Sequence, residues 1–510
     1  MKHAIVRALL CIVLLWGNET VLAQTQLPSI LSDNMCLQQL AEVKIWGWDH
    51  PGQTVTVKPS WTKAVKTETR DNGKWLVSIR TPKAGKTGTL KVTGSSKEII
   101  RNIIFGEVWL CSGQSNMELT LGFDESRRKP IVGFWEEAQN AEYPKIRMFQ
   151  VPKVYAATPA EDCEGKWVEC SPENVLGFSA VGYFYGKALH NKLNVPVGLI
   201  QSAWGGTPVE PWTPEEKYTE KTLNLIRRYE KNYKADSAAY FQGVKDYKKG
   251  IIDRYPRYPV SLSYHRRKHV QKAVLYNGMI SPLINFRIKG AIWYQGEANV
   301  PNWKDYKTLF PTMITSWREK WNIGNFPFYF VQIAPNNYSD KFGQPKIVEA
   351  QCEALKLENT GVAATQDIGV FYDIHPPQKR EVGRRLSLIA LNKTYGKTDV
   401  VYSGPVLSTS KTEGKNLVLQ FETPGSTLVS SNDPIGGIPA FYIAGENKVF
   451  YKATVKREGN TILLKSPKVE TPVAVRYNWA NNANAILFNA QGLPALPFRT
   501  DNWDDASYAN

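Results

Sequence analysis

The stretch Gly106-Glu-Val-Trp-Leu-Cys-Ser-Gly-Gln-Ser-Asn-Met117 decides the fold of this chain. Its apolar residues predict a buried strand that ends at Gly113. Ser115 follows on a strand-to-helix turn, where a hydroxyl is exposed near helix N-terminal amides that can stabilise an oxyanion. A serine after a glycine is also a common turn or capping residue, and the run alone does not separate the two interpretations.

The segment 106–395 alternates apolar runs with helix-like stretches. The runs fall near 107–111, 146–151, 196–202, 288–294, 327–334 and 362–366, with helical stretches at 179–193 and 303–321. This alternation predicts an α/β domain with a mainly parallel sheet. The charged, tyrosine-rich segment 213–275 interrupts the alternation, and we interpret it as an insertion that covers the edge of an active site.

Two regions of short alternating strands flank the α/β domain. Residues 24–105 carry Pro-Gly and Asn-Gly turn signals between runs of period two, which predicts an N-terminal β-domain. Residues 396–510 return to the same pattern and are predicted to form a C-terminal β-region.

Residues 1–23 have the pattern of a secretory signal peptide. Lys2 and Arg7 precede an apolar stretch, and Val-Leu-Ala23 provides small residues before a cleavage site. No later apolar run approaches the about 20 residues that a membrane span needs. We therefore predict an exported protein, periplasmic or extracellular, without membrane insertion.

Charge and cysteine content exclude several classes of function. The net charge is +16, but the basic residues are scattered and no nucleic-acid-binding motif accompanies them, so no nucleic-acid partner is expected. Cys163 and Cys170 are close enough in sequence to close a small loop in an oxidising compartment. No cysteine or histidine pairs have zinc-ligand spacing, so we expect neither a metal nor another cofactor.

Polar clusters follow four of the predicted strands. They are Ser115, the glycine-rich segment 203–207, the segment 294–299, and the aspartates and histidine between 367 and 375. Ligands of an open parallel sheet bind beyond the carboxyl ends of its strands, so these clusters are expected to converge.

A serine nucleophile needs a base, and His375 is the candidate. Among the six histidines it alone sits beside an acid in a predicted strand-end loop. Asp373, two residues earlier, can orient the imidazole and stabilise its charged form, with Asp367 as the alternative acid. A turn or capping role for Asp373 is the competing interpretation.

Other residues of these clusters can bind an oxyanion or a sugar. The backbone amides of Gly205 and Gly206 and the side chain of Gln295 are candidate oxyanion donors, although two consecutive glycines are also typical of a tight turn. Trp204, Glu297 and Asn299 are predicted to contact the substrate or support the site.

Four motifs together resemble the sialate O-acetylesterase family of the SGNH-hydrolase superfamily. They are Leu-Cys-Ser-Gly-Gln-Ser-Asn-Met117, Trp-Gly-Gly-Thr207, Trp-Tyr-Gln-Gly-Glu297 and Asp-Ile-His-Pro376, and segments near both ends of the mature chain are similar too. The resemblance implies a flavodoxin-like core flanked by sandwich-like β-domains, with Ser115 as nucleophile and His375 as base. It places oxyanion donors at Ser115, the Gly205–Gly206 turn and the Gln295 segment.

The chain departs from the superfamily pattern at two points. The acid commonly stands three residues before the histidine, where this chain has Tyr372. The superfamily's oxyanion asparagine has no direct equivalent, which leaves Gln295 or Asn299 to substitute.

The sequence therefore predicts a serine esterase that removes acetyl groups from sugars through an acetyl-enzyme. Acetylated sialic acid is the leading substrate class, and acetylated xylan or another plant or mucin glycan is the rival. A peptidase or lipase is a weaker alternative. A different class, a non-catalytic carbohydrate-binding protein, is also open because 16 tryptophans can supply sugar surfaces.

Overall fold

The computed structural model describes residues 24–123, 130–430 and 440–509. The predicted signal peptide 1–23 lies outside these residues. Within them, no helix combines the length and the apolar character that crossing a membrane requires.

The N-terminal region is built from antiparallel strands, joined by one parallel strand. In chain order they are β1 (Cys36–Gln38), β2 (Glu42–Trp48), β3 (Thr54–Pro59), β4 (Val65–Glu68), β5 (Lys74–Arg80), β6 (Thr87–Thr93) and β7 (Lys97–Gly113). β2 pairs with β5, and β3 pairs with β4 and β6. The first half of β7 pairs antiparallel with β6, and its middle pairs parallel with β1.

The central region alternates strands and helices. Its elements are α1 (Ser115–Glu118), α2 (Phe134–Gln139), β8 (Tyr143–Gln150), β9 (Trp167–Cys170), α3 (Pro172–Val175), α4 (Ala180–Leu193), β10 (Val197–Ala203), α5 (Glu220–Lys248), α6 (Val260–Arg266), β11 (Gly290–Tyr294), α7 (Trp303–Trp321), β12 (Phe328–Val331), α8 (Gly343–Cys352), β13 (Thr360–Ala363) and α9 (Lys379–Lys393). The sheet order is β13-β12-β11-β7-β10-β8-β9, and every pairing along it is parallel except that of β8 with β9. The predicted α/β class is confirmed.

Helices cover both faces of the central sheet. Ala291 and Trp293 of β11 belong to the hydrophobic cluster that contains buried residues of α7 and α8. Their neighbours Ile292 and Tyr294 belong to the cluster that contains residues of α4 and α9. Because side chains alternate along a strand, a strand buried on both faces appears in sequence as a continuous apolar run.

The C-terminal region is again made of β-strands. They are β14 (Val406–Glu413), β15 (Asn416–Glu422), β16 (Leu428–Ser430), β17 (Phe441–Ala444), β18 (Val449–Lys452), β19 (Thr454–Glu458), β20 (Thr461–Lys465), β21 (Ala474–Tyr477), β22 (Leu487–Asn489), β23 (Phe498–Arg499) and β24 (Ser507–Tyr508). One sheet has the order β14-β15-β20-β19 and another β23-β21-β17-β18-β24. Leu419 of the first sheet and Ile443 of the second share one hydrophobic cluster.

Parts of the predicted architecture stay predictions. These are the flavodoxin-like core, the sandwich-like flanking domains and the domain boundaries. The strand β7 crosses the predicted boundary between residues 105 and 106 without a break. Cys163 and Cys170, which are close enough in sequence to close a loop, are unpaired in the described structure.

Candidate active site

Ser115 and His375 meet at the carboxyl end of the central sheet. His375 Nε2 lies 2.9 Å from Ser115 Oγ, across 260 residues of sequence. Both side chains line a cavity of about 520 Å³. A nucleophile and a base within hydrogen-bonding distance in an open cavity form the minimal arrangement for nucleophilic catalysis.

The backbone around Ser115 depends on one glycine. Gly113 ends β7 with a φ of +137°, a conformation that L side chains rarely adopt. A Cβ at this position would lie 2.2 Å from the carbonyl oxygen of Tyr294 on the neighbouring strand. The glycine therefore lets the chain leave the sheet beside β11 and places Ser115 as the first residue of α1.

Asp373 holds the loop of His375 through a backbone hydrogen bond. Its Oδ1 accepts a bond of 2.9 Å from the backbone N–H of His375, and the same oxygen lies 3.9 Å from His375 Nδ1. The carboxylate is thus close enough to stabilise a charged imidazole, but this distance exceeds that of a hydrogen bond. Catalytic hydrogen bonds are often long without substrate.

Asp367, the alternative acid, forms an ion pair with Arg385. Its two carboxylate oxygens each accept a hydrogen bond of 2.7 Å from the guanidinium of Arg385, which is buried. A bidentate pair of this kind is geometrically specific. The geometry favours Asp373 over Asp367 as the acid beside His375.

Asn116 links three loops of the site. Its amide nitrogen donates to Glu297 Oε1 at 2.6 Å and to the carbonyl oxygen of Ile374 at 3.1 Å, and its amide oxygen accepts from Lys379 Nζ. Asn116 and Lys379 are fully buried. The neighbours of Ser115 and His375 are therefore connected through one side chain.

Glu297 lines the cavity with one oxygen unsatisfied. Oε1 accepts from Asn116, whereas the buried Oε2 has no hydrogen-bond partner among the described residues. Burial raises the pKa of Glu297, while the bond from Asn116 and the charge of Lys379 act in the opposite direction. An unpaired buried oxygen costs stability and is rare in native structures, so this one is a candidate ligand contact.

The Gly205–Gly206 turn lies beside Ser115. A Cβ on Gly205 would lie 3.1 Å from Ser115 Cβ. However, the N–H of Gly205 donates to the carboxylate of Glu118, which also pairs with Lys153. The N–H of Gly206 has no partner among the described residues, and this residue lines the cavity.

The side chains of Gln295 and Asn299 are both turned into the protein. The amide nitrogen of Gln295 donates to Asn299 Oδ1 at 2.7 Å and to the carbonyl oxygen of Thr207 at 3.3 Å, so both of its hydrogens are used. Asn299 donates in turn to Glu210 Oε2 at 2.9 Å. Both amides are fully buried and brace the loops. This differs from the oxyanion role predicted for Gln295, whereas a supporting role was one of the two predicted for Asn299.

The segment 213–275 supplies one wall of the cavity. Helices α5 and α6 and the residues that follow them contribute Ile226, Tyr229, Val260, Ser263, Tyr264, Arg267 and Val270 to its lining. Trp204, predicted to contact the substrate, stacks on His269 with ring centroids 4.6 Å apart and planes inclined by 3°. This tryptophan is therefore held beside the wall by a ring of the inserted segment.

No cluster of three or more potential metal ligands occurs among the residues that the structure describes.

Comparison with known proteins assigns the chain to a family. The family model described as "Carbohydrate esterase, sialic acid-specific acetylesterase" matches residues 106–276 and 260–391. The chain is 30% identical to human sialate O-acetylesterase over 435 residues, covering 77% of this chain and 75% of the human protein. The chain belongs to the sialic acid-specific acetylesterase family. The corresponding mouse enzyme is 28% identical over 527 residues, with coverage of 92% and 93%.

A solved structure supports the same assignment. The crystal structure of XAC1771, a carbohydrate acetylesterase from Xanthomonas citri, matches with a TM-score of 0.80 and 32% identity, over 94% of this chain and all of that chain. The sialic acid-specific acetylesterase family consists of carboxylic ester hydrolases, and this chain is one. The comparisons support the removal of acetyl groups from sugars as its activity.

Sequence reasoning missed several residues of this esterase. Gln114 lines the cavity, and its side-chain oxygen accepts bonds from the N–H groups of Gly296 and Ala298 at 3.4 and 3.3 Å. This leaves its amide nitrogen without a partner among the described residues. Asn116, which stands in the first motif, and Lys379, at the start of α9, were visible in the sequence, but nothing in their spacing indicates that they meet.

Proposed function

We propose that this esterase removes O-acetyl groups from sugars with Ser115 as nucleophile and His375 as base. The distance of 2.9 Å between Ser115 Oγ and His375 Nε2, inside an open cavity, is the observation that carries the proposal. The imidazole takes the hydroxyl proton as Oγ attacks the acetyl carbonyl carbon. It then gives that proton to the departing sugar oxygen, which leaves an acetyl group on Ser115.

A water molecule completes the cycle. His375 takes a proton from the water as it attacks the acetyl-enzyme, and acetate leaves as the proton returns to Ser115 Oγ. Asp373 stabilises the positive charge that His375 carries in both half-reactions, from its position 3.9 Å from Nδ1. The backbone bond from His375 to Asp373 keeps the two residues together throughout.

Three donors are available for the negative charge on the carbonyl oxygen. They are the N–H of Gly206, the N–H of Ser115 at the start of α1 and the amide nitrogen of Gln114. The first N–H groups of a helix lack partners within the helix, and the other two groups have none among the described residues. Gln114 thus takes the role that the sequence assigned to Gln295, and Gly205 supports the turn.

Acetylated sialic acid is the substrate class that we propose first. Curated relatives are named sialate O-acetylesterases, and the cavity volume is in the range of small-molecule sites. XAC1771 is described as a carbohydrate acetylesterase, and no particular sugar is named. Acetylated xylan or another glycan is therefore the second candidate. Glu297 Oε2 is the cavity atom that we assign to a sugar hydroxyl. Export of the protein stays a prediction from residues 1–23.

Acetate release from O-acetylated sialic acid and from acetylated xylan, measured side by side, tests the proposal. We expect release by the wild type and a loss of at least about 10³-fold in Ser115→Ala. The matched control is Ser410→Ala, an exposed serine on β14, which is expected to keep full activity. Equal release by wild type and Ser115→Ala would refute the nucleophile, and the preferred substrate decides between the sugar classes.

A further inference from the structure

We propose that Arg267 forms a carboxylate-binding subsite and gives this esterase its preference for acidic O-acetylated sugars. The inference rests on the proposed function and adds the residue that reads the sugar's negative charge. It would be the feature that separates acetylated sialic acid, whose ring bears a carboxylate, from acetylated xylan, whose backbone sugar bears none.

Arg267 lies on the far side of one turn from the nucleophile. Its Nη2 donates to the carbonyl oxygen of Gly206 at 2.8 Å. A Cβ on Gly206 would lie 3.1 Å from the same Nη2, and a Cβ on Gly205 would lie 3.1 Å from Ser115 Cβ. The guanidinium and the hydroxyl therefore flank the same two glycines, and both residues line the same cavity.

The guanidinium of Arg267 is held in position by Nη2, but its other nitrogens have unused hydrogen-bond donors. Nη2 also lies 3.3 Å from His269 Nε2. Nη1 and Nε make no hydrogen bond with any described residue. Arg385 and Arg476, which are buried elsewhere, instead hold aspartates through bidentate pairs. Arg267 is thus fixed by one nitrogen, and its remaining donors are left for a ligand.

The charge of Arg267 has no counter-ion among the described residues. No carboxylate oxygen of these residues lies within 4.0 Å of its guanidinium, although the group is partly buried. Of the two carboxyl groups of the cavity, Glu210 accepts bonds from Asn299 and Asn302 and Glu297 accepts one bond, from Asn116; burial raises the pKa of both. Burial, followed by the charges of Arg267 and Lys153, lowers the pKa of His269. An anionic ligand would complete this site.

The surroundings of Arg267 suit a sugar carboxylate rather than a phosphate or a nucleic acid. Among the described residues that line the cavity it is the one arginine or lysine, so the site offers a single positive charge. The wall beside it is apolar and is built from Ile226, Tyr264 and Val270. A single guanidinium next to an apolar wall matches a ligand with one carboxylate and a ring.

The test compares two esters that differ in this one charge. The substrates are O-acetylated N-acetylneuraminic acid and its methyl ester, which carry the same acetyl group, and kcat/KM is measured for each. The wild type is expected to prefer the free acid by about 10–100-fold, the range for a hydrogen bond to a charged group. In Arg267→Gln this ratio is expected to fall to about one, and Arg267→Lys is expected to keep part of it.

A neighbouring cation provides the matched control. Lys268→Gln removes the same charge from an exposed position and is expected to leave the ratio of the two substrates at the wild-type value. A wild type that does not discriminate between the two esters overturns the subsite, as does an Arg267→Gln variant that keeps the preference. Absence of turnover on both esters and on 4-nitrophenyl acetate would instead overturn the proposed function, so the two failures are distinguishable.

Discussion

Asn116→Ala is the perturbation that tests most directly how the site is held together. The side chain bonds to two charged groups, Glu297 Oε1 at 2.6 Å and Lys379 Nζ, and to the carbonyl oxygen of Ile374 at 3.1 Å. A hydrogen bond to a charged group contributes about 1.5–3 kcal/mol. Because the two bonds to charged groups are buried, we expect a loss of about 3–5 kcal/mol in the free energy of unfolding.

The same substitution is expected to slow catalysis. Asn116 adjoins Ser115 and binds the carbonyl that precedes His375, so its removal frees two loops that must stay in register. A misplacement of about 1 Å can lower turnover by about 10²-fold. We therefore expect kcat to fall by about 10–100-fold, with a smaller change in KM.

Urea unfolding and steady-state acetate release measure the two effects of Asn116→Ala. The matched control is Asn174→Ala, which removes an exposed amide whose nitrogen donates to the carbonyl oxygen of Glu169 at 3.0 Å. The control is expected to change stability by less than about 1 kcal/mol. If Asn116→Ala unfolds at the wild-type urea concentration and keeps its kcat, the network does not support the site and our reasoning fails.

Three further predictions address the turn, the buried acid and the choice of triad acid. Gly205→Ala would bring a methyl group to 3.1 Å from Ser115 Cβ. We therefore expect the variant to fold and its kcat to fall by about 10-fold or more. An unchanged kcat would contradict this expectation. Burial raises the pKa of Glu210 above its ordinary value of 4.5. The contribution of Glu210 to the free energy of unfolding is therefore fully present below pH 4.5, and it is lost as the pH rises through the pKa that Glu210 has in the folded protein. Thermal unfolding should show the wild type losing stability relative to Glu210→Gln over that rise, whereas a pH-independent difference would rule the effect out. Asp373→Asn is expected to lower kcat by about 10-fold or more. Asp367→Asn is expected to lower the melting temperature and to leave kcat unchanged. If parallel assays gave the reverse result, Asp367 would be the triad acid.

The sequence predicted the central elements well because both faces of the sheet are buried. Runs of apolar residues near 288–294 and 327–334 became β11 and β12, and the helical stretch 303–321 became α7 with the same bounds. The convergence of Ser115 and His375 followed from a rule about parallel sheets, without knowledge of any side chain. Position along the chain was therefore enough to predict that these two side chains meet.

The direction of individual side chains could not be predicted in the same way. Gln295 and Asn299 stand in a loop at the correct sheet edge, yet their amides satisfy Thr207 and Glu210 inside the protein. The sequence of a loop does not show whether an amide side chain points into the protein or towards the cavity. Arg267 was missed for a related reason, since its role depends on how the segment 213–275 folds back over the turn at Gly206.

The continuity of β7 limits how this esterase can be divided or recombined. Residues 97–104 of the strand pair with β6, and residues 107–113 pair with β10 and β11 and lead directly to Ser115. A cut at the boundary suggested by the sequence would start a recombinant protein in the middle of a strand, without the neighbours that anchor it. An exchange of segments between relatives would therefore have to keep the N-terminal strands and the central sheet together as one unit.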